Sequence, residues 1–257
     1  MKILIIGAGK MGSWLVESLC LEHDVAVYDK NKEKLKYFFN TRKILTPKQA
    51  GKFEPDMLIN AVDLKFTIEA FSEFIKYIPD NCIIADIASV KNGLKHYYLN
   101  SGRKFVSTHP MFGPTFTDIR HLKEESAIII SESCEEGKEF FRNFYKSFGL
   151  SVLEYNFEKH DKTIAYSLSV PFSSTLIFAA CMKKQEAPGT TFRKHMRIAH
   201  GLMSEDNYLL SEILLNPYTL EQVEKIQSEL DMLIKMIKCK DTVGMHEFFK
   251  MIRQNIS

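Results

Sequence analysis

Three glycines, Gly7, Gly9 and Gly12, stand at G-x-G-x-x-G spacing directly after the β-branched run Lys2 to Ile6. In such a turn the first glycine permits a sharp reversal. The second lets backbone N–H groups approach a pyrophosphate, and the third lets a helix pack close to a strand. Lys10 and Met11 fall inside the motif, where the helix N-terminus offers partial positive charge to phosphates. Asp29, 17 residues past Gly12, ends the next apolar run and can accept hydrogen bonds from adenine-ribose hydroxyls. Its charge repels a 2′-phosphate, which favours NAD over NADP, and Lys30 beside it opposes that choice slightly. These residues predict an NAD site. FAD, or a glycine turn without a nucleotide, are the alternatives at this point.

A dehydrogenase that removes hydride from a hydroxyl-bearing carbon also needs a base for the hydroxyl proton. Histidine suits this role because it titrates near working pH. His109 is expected just after a short strand, 105–107, and Ser89 just after another, 82–87. In parallel α/β sheets ligands bind beyond the carboxyl ends of strands, so both residues are expected near the nicotinamide end of a dinucleotide. A metal is not expected. His195 and His200 are five apart and share no helix face, and the five cysteines contain no C-x-x-C pair.

The elements that must position these residues follow from periodicity. Lys2 to Ile6 and Val25 to Tyr28 read as strands around a helix containing Trp14, Leu15 and Leu19. Strands are expected at 57–61, 82–87, 105–107 and 127–130, and helices at 66–77, 90–99 and 135–148. Repeated β-α units with short connections predict a mostly parallel sheet covered on both faces. Beyond about residue 157 strand signals nearly vanish. A long helix is expected over 158–183, kinked at Pro171, and another over 192–202. A further helix should start at Ser204-Glu205-Asp206 and end at Asn216-Pro217. Thr219 is expected to cap the next one, with the apolar stripe Leu220, Val223, Ile226, Leu230, Leu233 and Ile237. The predicted class is α/β plus all-α. An N-terminal Rossmann-like, doubly wound parallel sheet occupies 1–156, and a helical substrate and dimerisation domain occupies 157–257.

Composition narrows the partners. The chain has 257 residues, 45% hydrophobic and 26% charged, with a net charge of +2. The first 150 residues carry 21 basic and 19 acidic side chains and the remainder 13 of each, so neither part is a basic module for nucleic acid or anionic membrane. The short N-terminal apolar run argues against a signal peptide, and no apolar run is expected to reach membrane-span length. Odd, scattered cysteines fit reduced thiols, so a cytoplasmic setting is expected.

The motifs then resemble a known family. Val106-Ser107-Thr108-His109-Pro110-Met111-Phe112-Gly113-Pro114 resembles the catalytic-histidine motif of prephenate dehydrogenases. Asp86-Ile87-Ala88-Ser89-Val90-Lys91 is similar to that family's D-x-x-S-V-K segment. His160-Asp161 followed by Ala165 resembles the start of its second-domain helix, and Met196-Arg197-Ile198-Ala199 its substrate-arginine segment. With the glycine turn, these occur in the family's order along nearly the whole chain.

The resemblance implies NAD-dependent oxidation and decarboxylation of prephenate to 4-hydroxyphenylpyruvate, in tyrosine biosynthesis. It implies that His109 polarises or deprotonates the ring hydroxyl, that Ser89 bonds the same region and helps orient His109, and that Arg197 binds a substrate carboxylate. A guanidinium suits a carboxylate through its bidentate fork. His160 stands as a substrate contact or a domain-interface hydrogen bond, Gly189 and Thr190 as donors to substrate or a plain turn, and Lys91 as a helix cap.

One departure bears on substrate choice. Where many members have S-H-x-P-H, this chain has Leu168-Ser169-Val170-Pro171-Phe172. Both histidines are absent, Ser169 or Thr190 is the expected substitute donor, and arogenate becomes the close competitor. The family also implies a homodimer through the helical domain. No regulatory domain or fused mutase is expected within these residues. A different reductase with a similar layout and a non-catalytic NAD sensor are the remaining alternatives.

Overall fold

The computed structural model describes residues 1–113, 122–183 and 185–256. Pro114, the last residue of the histidine motif, lies outside them. Eight strands form one sheet: β1 (Lys2–Ile6), β2 (Asp24–Tyr28), β3 (Arg42–Lys43), β4 (Met57–Asn60), β5 (Ile83–Asp86), β6 (Phe105–Pro110), β7 (Ser126–Ile130) and β8 (Ser151–Tyr155). Their order is β3-β2-β1-β4-β5-β6-β7-β8. Every pairing is parallel except β6 with β7. The order reverses between β1 and β4, which is where a doubly wound sheet opens a crevice for ligand.

Side chains alternate across this sheet. Ile3, Ile5, Val25, Val27, Met57, Ile59, Ile83 and Ala85 face one core. It is closed by α1 (Lys10–Leu19) through Trp14, Leu15 and Leu19, and by α5 (Glu135–Ser147) through Phe141 and Tyr145. Leu4, Ile6, Ala26, Leu58 and Ile84 face the other, under α2 (Pro47–Phe53), α3 (Thr67–Phe74) and α4 (Leu94–Ser101). Both faces are covered, so β1, β4 and β5 are apolar apart from Lys2, Asn60 and Asp86 at their ends, as a buried parallel sheet requires.

Several expectations change. β3, at two residues, and β8, a largely exposed edge strand, carry too little periodicity to read. The short α2 has no counterpart among the predicted elements. The segment 90–93 is not helical; Gly93 adopts a left-handed conformation and α4 begins only at Leu94. The strand expected at 105–107 runs on to Pro110, so His109 lies within β6 rather than after it.

The helical part contains α6 (Phe157–Ile164), a π-helical turn (Ala165–Ser169), α7 (Val170–Cys181), α8 (Thr190–Leu202), α9 (Asn207–Leu214), α10 (Thr219–Cys239) and α11 (Thr242–Asn255). Pro171 has no N–H to donate one turn back, and the wider π turn directly before α7 accommodates its missing hydrogen bond. Asp206 accepts the N–H groups of Tyr208 and Leu209 at the start of α9. Thr219 is not a cap. Tyr218 holds that position, and the Thr219 hydroxyl donates to the Ile213 carbonyl instead. α11, capped by Asp241, has no counterpart among the predicted helices.

Phe157–Cys181 forms one 25-residue helix with an 18-residue window of mean hydropathy 1.5, long and apolar enough by length and composition to cross a membrane. This corrects the expectation that no segment reaches that length. Serine, threonine and alanine break up the apolar run without adding charge, so the helix stays hydrophobic on average. Only 17% of the window is buried within the chain.

The chain divides into two compact units, Met1–Lys162 with Ser204–Glu212, and Thr163–Met203 with Ile213–Ser257. The first holds the sheet and the second most of the helical segment.

Candidate active site

The glycine turn joins β1 to α1 at the crevice. Gly7 has φ of +99°, which disfavours any side chain, and a Cβ there would lie 2.5 Å from the Ala61 carbonyl oxygen. A Cβ on Gly12 would come within 1.8 Å of the Gly7 carbonyl oxygen. The fold therefore explains Gly7 and Gly12. It does not explain Gly9, whose backbone is extended and whose added Cβ would meet nothing within 4 Å. Space at that position, beside a helix N-terminus with no side-chain cap, fits a phosphate resting on backbone N–H groups. Lys10 and Met11 form the first turn of α1.

Asp29 ends this arrangement. Its Oδ2 accepts the Ala8 N–H at 2.7 Å and its Oδ1 the Asn31 N–H at 2.8 Å, which ties the carboxylate to the glycine turn. Each oxygen keeps a further lone pair for a ribose hydroxyl. Lys30, expected to offset Asp29, donates instead to Glu69 at 3.0 Å and lies over the Phe66 ring. The cation nearer to Asp29 is Lys34, at 3.7 Å.

His109 is positioned by a change of partner within β6. The parallel ladder with β5 ends at the pair Asp86–Ser107. Thr108, His109 and Pro110 pair antiparallel with β7 instead. His109 thus overhangs the carboxyl end of β5, buried yet beyond the parallel ladder.

A polar network, unread in the sequence, lies beneath it. Asp86 Oδ1 accepts Lys91 Nζ at 2.6 Å and the Ala88 N–H at 2.9 Å, and its Oδ2 accepts the Tyr98 hydroxyl at 2.6 Å. Lys91 Nζ also donates to the Thr108 carbonyl at 2.7 Å. The Thr108 hydroxyl donates to the Asp86 carbonyl and bonds the Tyr145 hydroxyl. Lys91 is therefore no helix cap but half of a fully buried ion pair. Burial lowers its pKa, against the raising effect of Asp86. An aspartate ending an apolar strand, five residues before a lysine, was the available sequence signal.

Burial also pushes the His109 pKa well below its usual 6.5, helped by neighbouring His160 and the Lys91 charge. His109 is consequently a neutral imidazole at pH 7, able to accept a proton. Its Nδ1 lies 3.1 Å from His160 Nε2, and His160 Nδ1 lies 3.0 Å from Asp161 Oδ1. Burial lowers the His160 pKa too, with Asp161 opposing. Ser89 sits half-buried in the bend after β5, and among the described residues no hydrogen bond joins it to His109.

The remaining candidates belong to the second unit. Arg197 is exposed on α8 and, with Thr190, Phe192, Arg193 and Met196, lines an open cavity of about 560 Å³. Gly189 is the N-cap of α8 and has open space around it. Thr190 Oγ1 accepts from Arg193 at 3.3 Å. Ser169 is fully buried. Its hydroxyl lies 3.0 Å from the Ile213 carbonyl and 2.8 Å from the Thr219 hydroxyl, so its single proton is shared out within the helical unit.

Residues 16–141 match the family model described as prephenate dehydrogenase, nucleotide-binding domain. These residues are similar to the nucleotide-binding domain of prephenate dehydrogenases. The chain is 24% identical over 210 residues, 76% of its length and 46% of the relative's, to a "Probable arogenate/prephenate dehydrogenase" of Methanocaldococcus jannaschii. It is 21% identical over 209 residues, 77% of its length and 54% of the relative's, to the T-protein of Haemophilus influenzae. It thus spans about half the length of these curated relatives.

Among solved structures, prephenate dehydrogenase from A. aeolicus in complex with hydroxyphenyl propionate and NAD+ superposes with a TM-score of 0.82. It is 18% identical, covering 100% of this chain and 98% of that one. Synechocystis arogenate dehydrogenase superposes with a TM-score of 0.78 at 14% identity, covering 99% and 98%. The fold is shared with both, and enzymes named for either substrate occur among the relatives.

Proposed function

We propose that this chain is an NAD-dependent dehydrogenase of prephenate, with arogenate as the competing substrate. The observation that carries the reading is His109, a buried and neutral imidazole overhanging the carboxyl end of β5 in a family-matched nucleotide-binding domain. The glycine turn and Asp29 would hold the dinucleotide, with the ribose hydroxyls on Asp29 and the pyrophosphate at Gly9. NAD supplies the hydride acceptor when bound. A bound NAD+ in the A. aeolicus relative supports that choice over NADP, as does the engagement of Lys30 with Glu69.

In the proposed reaction His109 accepts the proton of the ring hydroxyl while that carbon gives up hydride. The ring carboxylate leaves as carbon dioxide, its bonding electrons complete the aromatic ring, and the resulting phenolate oxygen takes the proton back from His109. Arg197 is proposed for a substrate carboxylate, supported by its exposed guanidinium beside a cavity and by the family segment around it. Ser89, Gly189 and Thr190 are retained as weaker candidates for substrate contact. The helical unit is proposed to join two copies into a dimer, and a cytoplasmic setting fits a soluble biosynthetic role.

The deciding experiment is steady-state turnover of prephenate and arogenate with NAD and NADP. The reading expects higher kcat/KM with prephenate and NAD. His109→Asn is expected to lower kcat about 10²–10⁴-fold, as removal of a general base does. Because the folded-state pKa of His109 is depressed, kcat/KM should hold through pH 6.5 and fall only below it. A clear preference for arogenate would reassign the substrate, and full activity of His109→Asn would reject the mechanism.

A further inference from the structure

Within the first unit, His160 is fully buried and both of its ring nitrogens are engaged. This leaves it no ring nitrogen for a substrate. What the contacts do define is a direction for protons. Ionised Asp161 can only accept, so His160 Nδ1 must donate to it. A neutral His160 carries one ring proton, so its Nε2 is then an acceptor. The group facing that acceptor at 3.1 Å is Nδ1 of His109, which must therefore be its N–H donor. His109, also neutral, is left with a bare Nε2, and that nitrogen has no hydrogen-bond partner among the described residues.

We propose that Asp161 and His160 are positioning residues that hold the proton of His109 on Nδ1 and so present Nε2 as the base. The inference rests on the reading of His109 as the proton acceptor. In the opposite tautomer Nε2 would carry a proton and could not take one from a hydroxyl. Among the described residues, the charged and titratable groups around the pair are Lys91, Asp86 and Asp161. Lys91 is tied to Asp86 and to the Thr108 carbonyl, and its charge disfavours a second proton on either histidine. The pair thus stays neutral, which the proton order requires.

Asparagine at 161 removes the constraint. Its side-chain NH2 can donate to His160 Nδ1, which permits the reversed order along the whole chain. Glutamate keeps an acceptor. The test uses the full chain labelled with 15N-histidine, with His109 signals assigned by their loss in His109→Gln. The wild type should show His109 protonated at Nδ1 and bare at Nε2. Asp161→Asn should populate the reversed tautomer and lower kcat about 10²-fold or more while leaving the KM for NAD unchanged. Asp161→Glu should recover most of the rate.

A proton on Nε2 of His109 in the wild type overturns the proposal, whatever the variants do. So does an Asp161→Asn protein with wild-type kcat. If neither prephenate nor arogenate is turned over while the tautomer responds as stated, the substrate reading fails and the proton order stands. If His109→Asn abolishes turnover while Asp161→Asn changes neither tautomer nor rate, the proton order alone fails.

Discussion

At the scale of single residues, the first unit separates groups that meet a ligand from groups that hold them. Asp86 and Lys91 are of the second kind. Both are fully buried, and breaking one half of such a pair leaves an uncompensated charge inside the protein. Lys91→Met is expected to cost about 3–5 kcal/mol, read as a drop in the denaturant midpoint. A loss under about 1 kcal/mol, the level of an ordinary substitution, would show that Asp86 is satisfied by Tyr98 and the Ala88 N–H alone. The D-x-x-S-V-K spacing offers the pair Asp86 and Lys91 but not its burial or its third partner. A lysine's role depends on which carbonyl and carboxylate surround its ammonium, and here one partner comes from β6, 17 residues away.

At the scale of elements, the strand–turn–helix unit at the N-terminus distinguishes fold from ligand. Gly12 packs against the turn itself, whereas Gly9 faces open space. Gly12→Ala should therefore destabilise the whole unit. Gly9→Ala should leave the thermal midpoint unchanged yet weaken NAD binding, measured by titration calorimetry. Equal NAD affinity in Gly9→Ala would remove the phosphate from that position. This unit was read correctly from sequence because its signals are local: a β-branched run, three glycines and an acidic strand end. β6 was read too short because its last three residues are stabilised by β7, and the pairing of distant strands leaves no periodic trace in three residues.

At the scale of the whole molecule, the helical unit leaves many large apolar side chains exposed, the kind of surface that a partner covers. The α10 stripe expected to be buried is mostly not. Leu220 is 67% and Ile237 57% exposed, and Leu230, Val243, Phe249 and Ile256 are exposed as well. None of α7 is buried, although it is among the most apolar helices. A second copy covering these faces is the expected occupant. Sedimentation at micromolar concentration should give twice the chain mass of 29.7 kDa, and Leu220→Glu with Ile237→Glu should shift the protein toward that single mass. A wild-type monomer would reject the dimer.

The sequence by itself determined the nucleotide-binding motif, the parallel sheet, the change to helices and the base candidate His109. Each depends on residues close along the chain, where spacing and side-chain type are sufficient. Only the tertiary structure decided that Ser169 is engaged within the helical unit, that Lys30 is engaged by Glu69, and that His160 faces His109 across 51 positions. Hydrogen bonds and burial are properties of neighbours in space. A side chain's free lone pair or free proton is defined only after those neighbours have taken theirs.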